Sequence, residues 1–145
     1  MHSTTAHSKT RYWLFLSTLA GIAIVLGGIA TSRYGAGVSS DSTKYLSVAQ
    51  NLLAGNGLYD HRGLPLLSWP PLYSILLAGL SLLTGGDVFV AGWYFNIFLL
   101  GLNLFLSGVI FYRVFADKLF SAYLASNFVF LSLSALRMHA TLSSD

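Results

Sequence analysis

A chain of 145 residues with 54% hydrophobic and only 9% charged side chains cannot cover a water-facing surface as soluble domains do, which carry about 25% charged residues. Its mean hydropathy is +0.66. Cysteine is absent, which excludes disulfides and thiolate metal sites, and the net charge of +3 is scattered, without the Lys/Arg block that nucleic-acid binding requires.

Lys9 and Arg11 precede an uncharged run from Tyr12 to Thr31. As a helix it measures about 30 Å, the thickness of a hydrocarbon core. A cleaved secretory signal has the same basic start, but its apolar region is typically about 7–15 residues, and here more apolar segments follow. A first span over 12–31 is therefore expected.

The next element is amphipathic. Tyr45, Leu46, Val48, Ala49, Leu52 and Leu53 recur at helical spacing and can lie on the membrane or on a bundle. Asp41 is placed to cap the start, and Gly55 closes the end ahead of a second glycine turn at Gly57, which predicts a surface helix over 42–54. After an irregular turn, Pro70 disfavours helical geometry at Trp69, so the next helix starts near Pro71 and runs to Thr84. At about 21 Å it is too short to cross comfortably. Two long apolar runs follow, over 88–111 and 119–138, separated by a turn carrying Arg113 and Lys118.

Charge placement selects the topology. If the 71–84 segment stays in the interface there are three spans, and the N-terminus and the Arg113/Lys118 turn are both cytoplasmic, as the positive-inside rule prefers. If it crosses there are four, and that basic turn falls outside. Arg33 disfavours both arrangements equally. The expected fold is thus an all-α integral membrane domain over 1–145, with three transmembrane helices and two juxtamembrane helices in an external loop, 32–87. Ser17, Gly21 and Gly28 fall within about 40° of one another on the first span, and Gly92, Asn96, Asn103 and Ser107 within about 60° on the second. Such small and amide-bearing stripes suit close helix packing, with a polar cavity as the alternative for the asparagines. Tyr12, Trp13, Trp93 and Tyr94 at span ends read as an aromatic belt.

The run Asp41, Tyr45, Ala49, Leu52 and Gly55, followed by Pro70–Pro71, resembles the GT-C superfamily of membrane glycosyltransferases, such as protein O-mannosyltransferases and bacterial aminoarabinose transferases. Those proteins begin with one span, an external loop holding two juxtamembrane helices, and further spans. The resemblance covers residues 10–145 and the first part only of a typical member, so this chain is expected to be a fragment of a longer protein and inactive alone.

The resemblance implies transfer of a sugar from a polyprenyl-phosphate donor to a hydroxyl acceptor at the external face of the plasma (inner) membrane. It places a catalytic carboxylate at Asp41 and a second acid at Asp145. A carboxylate near the acceptor acts as general base, and the phosphate leaving group needs a cation or a divalent metal beside it. Lys44, Tyr45, Arg62 and Arg137 are the substrate-binding candidates, with His61 and His139 weaker ones. Ser42 stands where many relatives have Glu, and Trp69 where many have a basic residue before the proline pair.

Each candidate has a plainer explanation. Asp41 can be a helix cap, Asp145 a solvated acid, and Arg137 and His139 interface anchors. Asp60 and His61 can be a metal pair, but neighbours in a glycine-rich turn are more often solvated. A non-enzymatic multi-span subunit, accessory or transporter-like, is the alternative function, although a scaffold has no need of a capped surface helix and a Pro-Pro helix between spans.

Overall fold

The computed structural model describes residues 3–32, 37, 40–66, 70–115 and 119–142. Arg33, Trp69, Lys118 and Asp145 lie outside them. The described residues form five α-helices: α1 (Ser3–Ser32), α2 (Ser40–Leu53), α3 (Leu72–Ser81), α4 (Val88–Val114) and α5 (Leu119–Leu142). A 3-10 turn, Leu82–Thr84, extends α3, and no strand occurs among the described residues beyond an isolated bridge between Tyr59 and Pro65. Two helical stretches, Lys9–Ser32 and Val88–Val114, are long and apolar enough to cross a membrane.

The chain divides into two compact units, one of Met1–Tyr34 with Ile97–Asp145 and one of Gly35–Asn96. α4 contributes to both, giving its first turns to the second unit and the rest to the first.

In the first unit α1, the later part of α4 and α5 pack together. Tyr12 and Leu16 cluster with Ala122, Phe111 and Tyr112, whereas Leu19 and Ala23 cluster with Leu104, Leu100, Val129 and Phe130. Moving forward along α1 therefore means moving back along α4 and forward along α5. α4 runs antiparallel to the other two. Glycine sets the closeness of α1 and α4. A Cβ on Gly101 would lie 2.6 Å from Cγ1 and Cδ1 of Ile24, and one on Gly108 would overlap the Leu16 side chain.

The contact stripe on α1 is thus Leu16, Ala20, Ala23 and Gly27, rather than the expected Ser17, Gly21 and Gly28. Ser17 and Gly21 are exposed, and a Cβ on Gly21 or Gly28 would meet nothing within 4 Å. In a run that is apolar all round, residue type does not single out a face, so the partner's shape decides it.

Tyr12 also departs from the belt reading. It is wholly buried. Its hydroxyl donates to the Gly108 carbonyl at 2.7 Å and lies 3.2 Å from Ser126 Oγ. Its ring meets Tyr112 and Tyr123 at centroid distances of 5.1 and 5.0 Å. The physical reason is that α1 begins at Ser3, so Tyr12 lies turns inside the helix and faces its neighbours.

In the second unit α2 ends in a Schellman arrangement. The Asn56 amide donates to Asn51 O and the Gly55 amide to Leu52 O, with Gly55 at φ 78°. Residues 54–66 then return along α2, and α3 starts beside Tyr45. Ala49, Leu77, Ala78 and Val88 form the core, with Leu46, Leu52, Tyr73 and Phe95 packed on it. Asp87 caps α4 through its Oδ1, which accepts the Val90 amide at 2.9 Å. From there α4 runs back along α3, bringing Gly92 to Leu77 and Leu46, and Asn96 to Tyr73.

Candidate functional site

α2 starts at Ser40, so Asp41 sits in the first helical turn rather than ahead of it. A carboxylate there faces the unpaired amides and positive dipole end of the helix, worth about 0.3–1 kcal/mol. The side chain is exposed. Lys44 follows three positions later, on the same side of the helix. Tyr45 is held from two directions. Its ring meets Tyr73 edge-on at 5.2 Å, and its carbonyl accepts the Ser74 hydroxyl at 3.1 Å.

Beside this helix start lies a small open cleft of about 40 Å³, lined by Ser42, Leu46, Tyr73, Phe89, Trp93 and Asn96, among others. Its walls are apolar and aromatic. Its polar end is defined by Tyr73, which donates to Asn96 Oδ1 at 3.2 Å and stacks on Phe95 at 6.0 Å. Among the described residues the Asn96 amide nitrogen meets no acceptor, which leaves its two donors open. At that size the cleft can meet the edge of a molecule with an apolar face and hydroxyl groups, but it does not enclose one.

Arg62 is placed by a different device. The segment from Leu58 to Leu66 closes as a small hairpin, with Leu66 N donating to Leu58 O at 2.9 Å and Asp60 N to Leu64 O at 2.8 Å. α2 holds it through Asn51 Nδ2, which donates to Tyr59 O at 2.7 Å, and through Ser47 Oγ, which accepts the His61 amide at 3.2 Å. Asp60 organises the turn. Its Oδ1 accepts the amides of Arg62 and Leu64 at 2.9 and 3.0 Å, and its Oδ2 accepts Arg62 Nε and Nη2 at 3.0 and 2.9 Å. Burial pushes this carboxyl upward, but the Leu64 amide and the Arg62 side chain and amide outweigh it and hold it at about 2.

Asp60 is therefore not a solvated turn residue, and with two hydrogen bonds on each oxygen it has no lone pair left for a metal. Among the described residues no three His, Asp or Glu side chains gather as a protein-held cation needs. Arg62 is committed to Asp60, with its side chain 55% exposed.

The sign of the Asp60 linkage follows from a folded value below the ordinary one. Its contribution is complete above about 4 and is lost as pH falls from there through about 2. The protection factors of the Arg62 and Leu64 amides, taken against the intrinsic exchange rate at each pH, should hold from neutral pH down to about 4 and fall below it. Asp60→Ala should lower both at neutral pH. Equal protection in wild type and variant would contradict this role.

Of the remaining candidates, Arg137 and His139 belong to the last turns of α5, in the first unit. Asp145 lies outside the described residues. The structure thus gathers Asp41, Lys44 and Tyr45 at one end of α2 and adds Tyr73, to which the sequence assigned no role, Trp93, read as a belt residue, and Asn96, read as packing with a polar cavity as the alternative. An asparagine in an apolar run was the available signal for Asn96. Comparison with family models, curated proteins and solved structures found no match.

Proposed function

We propose that this chain serves a multi-pass membrane glycosyltransferase of the GT-C kind, moving a sugar from a polyprenyl-phosphate donor to a hydroxyl acceptor at the external face. α1, α4 and α5 are its spans, with Lys9, Arg11 and Arg113 on the cytoplasmic side. The observation that carries the reading is the exposed carboxylate of Asp41, adjoining Ser42 at the rim of an aromatic cleft, within a unit built from two short helices between the first two spans.

In the proposed reaction Asp41 takes the proton of the acceptor hydroxyl as its oxygen attacks the anomeric carbon. The bond from that carbon to the phosphate oxygen breaks, with inversion, and the phosphate leaves with the electron pair. Lys44, on the same turn of α2, is the nearest cation in sequence to stabilise that charge. Tyr45, on the same end of α2, is the substrate-binding residue of the proposal beside them.

The experiment is a transfer assay. Membranes containing the full-length protein are given labelled polyprenyl-phosphate sugars, and label should move to a hydroxyl acceptor with inverted configuration. Absence of transfer with every such donor, in membranes where the protein is inserted, would favour a non-enzymatic subunit instead.

A further inference from the structure

At about 40 Å³ the cleft beside the start of α2 has room for about three water-sized groups, the size of one edge of a sugar ring. Among the described residues its lining carries no charge. At its polar end the Tyr73 hydroxyl spends its one hydrogen on Asn96 Oδ1, at 3.2 Å. Asn96 is left with N–H donors, and the Tyr73 oxygen with lone pairs that accept. A donor and an acceptor side by side match an alcohol, which both accepts and donates. They do not match a phosphate, which only accepts and needs a cation beside it. Trp93 and Phe89, the latter 40% exposed, supply aromatic faces, whose partial negative charge suits the C–H groups of a sugar ring.

The depth of the cleft suits a ligand that comes from water. With Arg113 at the proposed cytoplasmic boundary, about 20 residues of hydrocarbon reach back along α4 to Trp93, which sets the cleft at the external boundary of the span. We propose that the cleft is a subsite for a neutral carbohydrate, which in the sugar-transfer reading, on which this rests, is the acceptor. One ring hydroxyl accepts from Asn96 Nδ2 and donates to Tyr73 Oη, while ring C–H groups lie on Trp93. By binding Oδ1, Tyr73 leaves the amide nitrogen as the end offered to the ligand. Ser42, on the cleft wall, directly follows Asp41, so a neighbouring hydroxyl of the same ring is the one offered to the proposed base. The Asp41 carboxylate also disfavours an anionic acceptor there.

This chain has no cysteine, so a single thiol on the cleft wall reports occupancy without catalysis. In membranes holding the intact protein, neutral oligosaccharides of varied hexose composition should slow maleimide labelling of Phe89→Cys. Their phosphorylated counterparts and serine-containing peptides should not. Asn96→Asp still accepts from Tyr73 but loses the donors, and Tyr73→Phe keeps the ring packing but loses the hydroxyl. Each should raise the concentration needed for half-protection about tenfold, as loss of a hydrogen bond does. In the transfer assay the same two variants should raise the acceptor KM about tenfold and leave kcat and the donor KM near wild type. Protection by no neutral oligosaccharide, equal protection by the phosphorylated ones, or half-protection unchanged in both variants would overturn the subsite. Protection without transfer would overturn the transferase reading and leave the subsite standing, and transfer without protection would do the reverse.

Discussion

Asp41→Asn is expected to lower the proposed sugar transfer by about a hundred- to ten-thousand-fold, the range over which a positioned general base contributes. Asparagine has the same shape and keeps the start of α2, but it cannot take a proton from the acceptor hydroxyl. The structural cost is small. The residue is exposed, and losing its charge in the first helical turn costs about 0.3–1 kcal/mol. Instability therefore cannot account for a fall of that size. The fall should appear in kcat, with donor binding preserved, and Asp41→Glu should retain part of the activity. Wild-type turnover in Asp41→Asn, with normal insertion, would remove the proposed base.

Gly108→Leu is expected to be the most damaging of the span substitutions considered. Even the first added carbon would overlap the side chain of Leu16, which is wholly buried. Overpacking of this kind costs about 1–3 kcal/mol. The Tyr12 hydroxyl that donates to the Gly108 carbonyl would be displaced as well, and buried interhelical bonds in membranes average about 0.6 kcal/mol. Gly21→Leu is the matched control, because a Cβ there meets nothing within 4 Å. Thermal unfolding in detergent should show Gly108→Leu markedly destabilised and Gly21→Leu close to wild type. Similar losses in both would mean that α1 and α4 do not approach at Gly108.

The contrast between those glycines shows where sequence information stops. Helix limits were legible because they are local. Gly55 and Gly85, both at positive φ, end α2 and the extension of α3 where expected, and the Pro70–Pro71 pair delays α3 to Leu72. α2 starts two residues before the expected Ser42, which moves Asp41 from a cap into the first turn. Which face of α1 meets α4 was not legible, because Leu, Ile, Val and Gly surround that helix on every side.

The Asp60 hairpin was half legible. An Asp followed three residues later by Gly63 is a turn signal, and Gly63 does adopt φ 73°. That the carboxylate would take four hydrogen bonds and be buried depends on Ser47 and Asn51 holding the loop against α2, a contact no local pattern announces. Of the site, Asp41, Lys44 and Tyr45 were found as neighbours in sequence. The cleft was not, because Tyr73 and Trp93 are brought beside α2 only when α4 folds back along α3.

The central physical claim is that α3 does not cross the membrane. With its 3-10 extension it measures about 21 Å, against about 30 Å of hydrocarbon. It packs instead on α2 and on the first turns of α4. In sealed vesicles of known orientation, single thiols at Asn56→Cys and Asp87→Cys, before and after α3, can be probed with a membrane-impermeant maleimide, with Val114→Cys marking the end of α4 proposed to be cytoplasmic. Labelling of positions 56 and 87 from the external side alone, and of 114 from the cytoplasmic side alone, is the predicted result. Labelling of 56 and 87 from opposite sides would show α3 passing through the bilayer and contradict the account.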